Sequence, residues 1–179
     1  MKGMILMKYI AKFEKVSKAQ FVEGIKKVMK DYSNLFAKSD EGVDDVYDNI
    51  IKLPKRSTAG SAGYDFVSPF GFSLKKGESI VIPTGIRCRI DDSWVLNLYP
   101  RSGLGFKTHV RLANTVGIID SDYYYSDNEG HIMIKLVAEK PIEVNAGDRF
   151  AQGVFTEYGI TVDDEATETR NGGFGSSGK

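Results

Sequence analysis

The sequence predicts an all-β protein, a jelly-roll-like β-barrel with a short helical insertion near the N-terminus. Two observations carry this prediction. From residue 50 onward, short apolar runs of strand character follow one another, most clearly at 80–82, 86–90, 95–99 and 132–137. Turn-forming clusters, among them KKGE, PTG, DDS and NAGD, separate such runs. Many short strands divided by turns, with no second long helical period, are typical of barrels and jelly rolls.

The first fifty residues show a different pattern of apolar and charged residues. Residues 9–16 alternate loosely and predict a strand, and Ser17 followed by Gln20 matches a capping box at the start of a helix. Apolar residues then recur at helical spacing and predict a helix that ends near Lys38: Phe21, Ile25, Val28, Met29, Tyr32 and Phe36. We interpret this stripe as a packing face. The acidic stretch SDEGVDDVYDN after it is interpreted as a solvated connector.

The length of 179 residues favours a single domain. We divide it into a strand with a helical insertion and connector (9–49), a β-barrel core (50–169) and a flexible, glycine-rich C-terminal arm (170–179). The 24 basic and 24 acidic side chains balance. Because proteins that bind nucleic acid usually carry a basic excess, the sequence predicts no nucleic-acid partner.

The cysteine and histidine content limits the possible metal and redox chemistry. Cys88 is the sole cysteine and lies between Ile86 and Ile90, which predicts a buried thiol rather than a nucleophile. His109 and His131 lie far apart in sequence, which does not favour a zinc site. The N-terminal residues lack the long apolar run of a membrane span or signal peptide, so we expect a cytoplasmic protein with no membrane partner.

Five segments carry residues that a plain β-barrel does not need. Each taken alone is more often a turn or a surface ion pair than a site. They are Ser61–Phe66 with Asp65, Pro100–Leu104 with the sequence Arg-Ser-Gly, Asn114–Tyr123 with two carboxylates, Gly147–Gln152, and Arg170–Gly178 with Phe174 among glycines.

In this order the five segments resemble the five signature motifs of the trimeric dUTPases, over residues 54 to 178. The resemblance implies a homotrimer whose active sites are shared between chains. It also implies hydrolysis of the substrate dUTP to dUMP and pyrophosphate with Mg²⁺ as cofactor. Mg²⁺ would be held mainly by the substrate phosphates, which suits a cation that keeps its water shell, and Asp65 would contact it indirectly through water.

The resemblance also assigns roles at the phosphates. It implies that Arg101, Ser102 and Gly103 grip the phosphates, with Ser102 near the linkage that breaks, and that Gln152 adds a further contact. Asp120 would be the catalytic base that activates the attacking water, because an ordinary aspartate, with a pKa of about 3.9, is ionised at neutral pH. Arg149 is interpreted as an inter-subunit ion pair rather than a ligand.

The nucleoside end of the substrate is assigned in the same way. Tyr123 would lie against the deoxyribose, where a 2′-hydroxyl would clash. A hairpin would read uracil, mostly through its backbone, with Met133 on the returning strand; its residues include Asn114, Gly117, Ile118 and Ile119. In the arm, Phe174 would stack on uracil, and the implied phosphate contacts of the closing arm come from Arg170, Gly175, Ser176 and Ser177.

Three departures from the family pattern are visible. Six residues, 124 to 129, lengthen the loop before Gly130, and three rather than four residues separate Arg170 from Phe174. The helix that follows Ser17 has no counterpart in the common core, and the sequence assigns it no function.

Two alternatives stay open on the same fold. A dCTP deaminase would need a carboxylate on the strand after the third motif, where residues 131–136 carry none. A non-catalytic trimeric binding protein would not need Asp120, Tyr123 and Phe174 together. A P-loop is excluded, because the GxxxxGK pattern at 173–179 has no Ser or Thr after Lys179.

Overall fold

Short antiparallel strands dominate the protein. The structure is a computed structural model that describes residues 8–32, 42–168 and 170. Within these residues the strands are β1 (Ala11–Lys15), β2 (Lys55–Arg56), β3 (Tyr64–Val67), β4 (Phe72–Leu74), β5 (Ser79–Pro83), β6 (Ile86–Ile90), β7 (Trp94–Pro100), β8 (Arg111–Leu112), β9 (Gly117–Ile119), β10 (Met133–Val137), β11 (Ile142–Val144) and β12 (Arg149–Glu157). The predicted all-β class is confirmed.

The largest sheet has the order β2-β3-β12-β7-β9. Three smaller groups complete the architecture: β5-β10-β8, β1-β6 and β4-β11. The helices are α1 (Lys18–Tyr32), α2 (Val43–Asp45) and α3 (Ser102–Thr108), with a π-helical turn at Val46–Ile50 and a 3₁₀ helix at Ser121–Tyr125. The long pair β7–β12 crosses the middle of the largest sheet and positions residues at both of its ends.

Alternation along the strands builds the core. On β7, Leu96 and Leu98 are fully buried, and on the adjacent β12 Gly153 leaves room for them, since a Cβ there would lie 2.7 Å from Leu96 Cδ1. Cys88 is buried as predicted, and burial raises the pKa of its thiol. A raised pKa keeps the thiol protonated and unreactive.

The N-terminal segment joins the barrel through β1, which pairs with β6. The predicted apolar stripe of α1 is confirmed at Phe21, Ile25 and Val28, which are buried, whereas Met29 is 41% exposed. The helix is described as far as Tyr32, so its predicted end near Lys38, together with Phe36, lies outside the described residues.

Two predictions for this segment need correction. The Ser17 side chain accepts the Gln20 amide at 3.1 Å, as a capping residue should, but the Ser17 amide donates to the distant Glu129 and not to Gln20. The acidic connector is not simply solvated. Its residues 43–49 are helical, Val46 is buried, and the Tyr47 hydroxyl donates to the Val16 carbonyl at 2.7 Å. The Tyr47 ring also lies 5.9 Å from the Phe21 ring of α1, so the connector packs on the N-terminal segment.

Candidate functional site

Adjacent strand ends bring the first, second and fourth sequence segments together. Gln152 on β12 pairs with Asp65 on β3 and with Tyr99 on β7. Ser102 begins α3, one residue after Arg101, and the Gln152 side-chain amide lies 3.4 Å from its hydroxyl. The same amide donates to the Pro100 carbonyl at 3.3 Å. Antiparallel pairing thus gathers side chains that lie more than thirty residues apart in sequence.

Asp65 is held between two arginines. Its carboxylate lies 3.5 Å from Arg101 Nε and 3.1 Å from Arg149 Nη1, and its side chain is only 13% exposed. Ser57 donates its hydroxyl to the same carboxylate at 2.8 Å. We call Asp65, Arg101, Ser102, Arg149 and Gln152 the donor group, since guanidinium, hydroxyl and amide hydrogens concentrate here. Such donors suit a phosphate.

Two further features of the donor group are the ion pair of Arg149 and the close approach of Gly63 to Gln152. Arg149 pairs with Asp65 of its own chain, beside the β-bulge between Arg149 and Ala151, and its inter-subunit ion pair stays a prediction. Gly63 was not singled out, yet a Cβ at this position would lie 2.6 Å from Gln152 Oε1. The small residues before Asp65 were the available signal for this close approach.

Asp120 lies in a separate cleft of about 470 Å³, lined by Val95, Ile118, Asp120, Ser121, Asp122, Tyr158 and Arg170. Asp120 ends the β9 run and precedes the 3₁₀ helix, whose first turn closes through Tyr123 N–H donating to the Asp120 carbonyl at 3.2 Å. Arg170 Nη2 donates to Asp120 Oδ2 at 2.6 Å, and Arg170 Nε lies 3.3 Å from Asp122. Arg170 therefore contacts the two carboxylates and not the donor group.

Tyr123 is a core residue in this chain. It is 2% exposed, its hydroxyl donates to the His131 carbonyl at 2.8 Å, and burial raises its pKa. The Arg170 guanidinium carbon lies 6.0 Å from the ring centroid. The ring therefore has no exposed face in the single chain, although it lies next to the Asp120 cleft.

The residues of the predicted uracil hairpin differ in their exposure to solvent. Asn114 is exposed and Ile118 is 52% exposed, whereas the Ile119 side chain is buried, so Ile119 could contact a base only through its backbone. Gly117 lies against Leu98, where a Cβ would be 3.1 Å from Leu98 Cβ.

Two different strands pair with the two ends of this segment. β9 pairs with β7, whereas β10, with Met133, pairs with β5 and β8. Met133 lies on a strand that returns antiparallel to β8, which ends two residues before Asn114, and its role beside a bound base stays a prediction.

The donor group and the Asp120 cleft lie at opposite ends of β7. Val95, near the start of β7, lines the Asp120 cleft, and Arg101 directly follows the last residue of β7. At about 3.3 Å per residue, six residues of strand separate the two groups by about 20 Å. A single chain does not bring Asp120 and Arg101 to one substrate atom.

Of the remaining predicted site residues, some lie in α3 and others lie in the arm. Gly103 lies in α3 beside Ser102, with open space around its Cα. Phe174, Gly175, Ser176 and Ser177 lie outside the described residues, and Arg170 is the sole described residue of the arm. Within 8–32, 42–168 and 170, no group of three or more His, Cys, Asp or Glu is arranged to hold a metal ion. No helix in the same part of the chain is long and apolar enough to cross a membrane.

The short antiparallel strands, arranged as one five-stranded sheet and three smaller groups, define an all-β, jelly-roll-like class of protein. A family model described as dUTPase matches residues 49–178. The chain is 41% identical to the deoxyuridine 5'-triphosphate nucleotidohydrolase of Lactococcus lactis, over 72% of this chain and 89% of that protein. It is 42% identical to the protein of the same name from Mannheimia succiniciproducens, over 73% and 90% of the two chains. The chain belongs to the dUTPase family.

Solved structures agree with this assignment. The chain is similar to the dUTPase of Streptococcus mutans, with 33% identity and a TM-score of 0.55, over 73% of this chain and 97% of that one. A dUTPase from the Staphylococcus aureus phage phi11, whose structure is described as coordinating a structural Mg(II) ion, shares the fold at 22% identity. Its TM-score is 0.57, over 69% and 94% of the chains. The predicted family, the jelly-roll-like fold and the enzyme class are confirmed.

Proposed function

We propose that this protein hydrolyses dUTP to dUMP and pyrophosphate, in active sites that combine the donor group of one chain with the Asp120 cleft of another. Membership in the dUTPase family supports the reaction. The observation that carries the shared site is the length of β7 between the two groups.

The distance between Arg101 and Asp120 within one chain is the reason for a shared site. A catalytic base acts on a reacting atom through a hydrogen bond of about 3 Å or through one bridging water. Arg101 and Asp120 of one chain are separated by about 20 Å along β7, too far for both to act on the same phosphate. A symmetric assembly would place the donor group at one end of β7 against the Asp120 cleft at the opposite end of β7 in a neighbouring chain. We propose a trimer, which is the assembly that the sequence motifs imply.

In the proposed reaction a water molecule attacks the α-phosphorus of dUTP. Its proton passes to the Asp120 carboxylate, the bond from the α-phosphorus to the bridging oxygen breaks, and pyrophosphate leaves with that oxygen. Arg101, Ser102 and Gln152 would bind the phosphate oxygens, where their hydrogen bonds strengthen as charge moves to the leaving group. Arg170 would move from Asp120 to the phosphates as the arm closes.

The described residues fit Mg²⁺ as a partner of the substrate rather than as a resident ion. Mg²⁺ is commonly bound by one or two carboxylates together with substrate phosphates, and it retains several waters. Asp65 is a carboxylate at the centre of the donor group, but arginines already occupy its oxygens. It would therefore contact the ion through water. The ion would neutralise negative charge on the triphosphate.

The nucleoside would bind over β9. Backbone groups of the segment from Asn114 to Ile119 would read the uracil edge, and a mismatched base would leave polar groups unpaired. Tyr123 would meet the deoxyribose if its ring becomes accessible in the assembled site. The deaminase alternative is disfavoured by β10, whose five residues carry Lys135 but no carboxylate.

A substrate comparison tests the proposal. Purified protein is incubated with dUTP, dCTP, dTTP and UTP in the presence of Mg²⁺, and the products are identified by chromatography. We expect dUMP and pyrophosphate from dUTP alone at an appreciable rate. Release of ammonia from dCTP would indicate the deaminase, and binding of dUTP without turnover would indicate the non-catalytic protein.

A variant tests the base. Asp120→Asn keeps the shape of the side chain but removes the proton acceptor, so kcat should fall by about a hundredfold to ten-thousandfold while dUTP still binds. A kcat within a few-fold of wild type would show that another group is the base.

A further inference from the structure

A part of the chain without an assigned role contacts the loop that follows the proposed base. This part is the N-terminal segment, which precedes the region matched by the dUTPase family model. The loop is the segment 121–131 that directly follows Asp120, and which we call the base loop. Glu129 of this loop accepts the Ser17 amide at 2.6 Å with one carboxylate oxygen and the Ser17 hydroxyl at 2.6 Å with the other. Ser17 in turn caps α1 through the Gln20 amide.

A second contact lies one turn earlier in the base loop. The Tyr124 hydroxyl donates to Glu14 of β1 at 2.5 Å. Arg87 of β6 joins both residues, since its guanidinium lies 4.5 Å from the Tyr124 ring centroid and 3.4 Å from the Glu14 carboxylate. Hydrogen bonds from Lys12 and Tyr124 lower the pKa of Glu14 to about 2. The charged form of Glu14 is thus the form that the contact stabilises.

The third contact is buried. The His131 ring packs on α1 at Gly24, where a Cβ would lie 2.9 Å from His131 Cε1, and its centroid lies 6.4 Å from that of Phe21. His131 Nε2 accepts the Gly85 amide at 2.9 Å. The end of the base loop is therefore fixed between α1 and the turn that precedes β6.

The base loop is itself tightly closed, so that a shift at Glu129 reaches Asp120. Asn128 donates to the Tyr123 hydroxyl at 2.8 Å, and Tyr123 is bonded through its amide to the Asp120 carbonyl. At Gly130, where φ is +67°, a Cβ would lie 2.7 Å from Tyr124 Cα. These contacts, and the lack of space beside Gly130, connect Glu129 to Asp120 through the loop.

We propose that Glu129 is a positioning residue for Asp120, and that the N-terminal segment is the support against which it holds the base loop. The inference rests on the proposed function, because it takes Asp120 as the base. The physical reason is geometric: a displacement of a catalytic group by about 1 Å can cost two orders of magnitude in rate.

The test compares three variants by steady-state kinetics with dUTP. Glu129→Ala should lower kcat by about ten- to a hundredfold. KM should change much less than kcat, since the donor group that binds the phosphates lies at the other end of β7, outside the base loop. Glu129→Gln can still accept the Ser17 amide and donate to its hydroxyl, so it should restore kcat to within about threefold. Adding Ser17→Ala to Glu129→Ala should cause no further loss of kcat, because the Ser17 hydroxyl has already lost its contact with Glu129. The added loss of the cap on Gln20 should lower stability instead.

A control and a second readout separate positioning from general destabilisation. Asp48→Ala removes an ion pair to Lys18 at the start of the same helix without touching the base loop, and its kcat should match wild type. Hydrogen exchange should show faster exchange of the 121–131 amides in Glu129→Ala than in Glu129→Gln.

The kinetics of the wild type and of the variants distinguish failure of this inference from failure of the proposed function. An active wild-type enzyme with an unchanged kcat in folded Glu129→Ala, or an equal loss in the Gln variant, would overturn this inference alone. A wild-type protein that releases no pyrophosphate from dUTP would overturn the proposed function and this inference with it.

Discussion

Arg170 donates a hydrogen bond of 2.6 Å to the carboxylate of Asp120 within the same chain. Its Nε atom lies 3.3 Å from Asp122 as well, so one guanidinium spans the two acidic residues at the cleft. The sequence motif instead places this arginine on the substrate phosphates. Both positions use the same planar fork of donors, and the phosphates of dUTP would compete with the carboxylates for it.

Replacing this arginine should impair the enzyme. We expect Arg170→Ala to lower kcat/KM by about ten- to a hundredfold, because hydrogen bonds to charged groups contribute about 1.5–3 kcal/mol. Steady-state kinetics with dUTP measure the effect. Arg111→Ala is the matched control, since Arg111 is exposed and pairs with Glu139 on the surface. Equal kcat/KM values for the two variants would exclude a phosphate role for Arg170.

Mixed oligomers should reveal the shared site. Arg101→Ala and Asp120→Asn are each expected to be nearly inactive. After subunit exchange in equimolar mixtures, about a quarter of the sites should combine an intact Arg101 with an intact Asp120 from different chains. Activity should return to that extent, measured as pyrophosphate release after exchange is verified by mass spectrometry. A mixture no more active than its parents would show that the two residues serve the same chain's site.

The metal should follow the substrate. Because Arg101 and Arg149 occupy the Asp65 carboxylate, Mg²⁺ should bind the free protein weakly and bind tightly only together with a triphosphate. Calorimetric titration of Mg²⁺ into free protein, and into protein saturated with a non-hydrolysable dUTP analogue, measures the difference. Chelation should abolish hydrolysis without changing the melting temperature of the free enzyme. Tight binding of Mg²⁺ to the free protein would contradict this prediction.

His131 should make stability depend on pH. Burial lowers its pKa to about 4, against a nearby Glu129 that raises it, while an unfolded histidine titrates near 6.5. Between these values the unfolded chain binds a proton that the folded chain does not. Stability is therefore highest above pH 6.5 and falls as the pH drops towards 4, by about 2 kcal/mol between pH 7 and pH 5.

Urea unfolding at fixed protein concentration measures this slope. His131→Gln should flatten it, because glutamine does not titrate in this range. His109→Asn should retain it, since His109 is exposed, and asparagine tolerates the left-handed backbone found there (φ +58°). A His131→Gln variant with the wild-type slope would show that other groups cause the pH dependence.

Much of the secondary structure could be predicted because its signals are local. The strand around Cys88 and the buried face of α1 follow from apolar residues at spacings of two and of three to four. The capping role of Ser17 follows from its own side chain. The motifs around Asp65, Arg101, Asp120 and Gln152 were recognisable for a similar reason, since each is a short run of adjacent residues.

The connector before residue 50 shows where such local reasoning fails. Its acidic residues predict exposure, but Val46 is buried and Tyr47 contacts Val16 and Phe21 of the N-terminal segment. A pattern of charges describes the outer face of such a segment and gives no information on what its few apolar residues can reach.

By itself the sequence determined the β class, the family and the residues with suitable chemistry. Which of these residues meet was decided by tertiary structure alone: Arg149 pairs with Asp65, Glu129 binds Ser17, and β9 pairs with β7 rather than with the strand of Met133. Arg149 and Asp65 lie 84 positions apart in the sequence, and Glu129 and Ser17 lie 112 positions apart. Periodicity within a segment carries no information on its partner, because that choice depends on the free energy of packing the whole barrel.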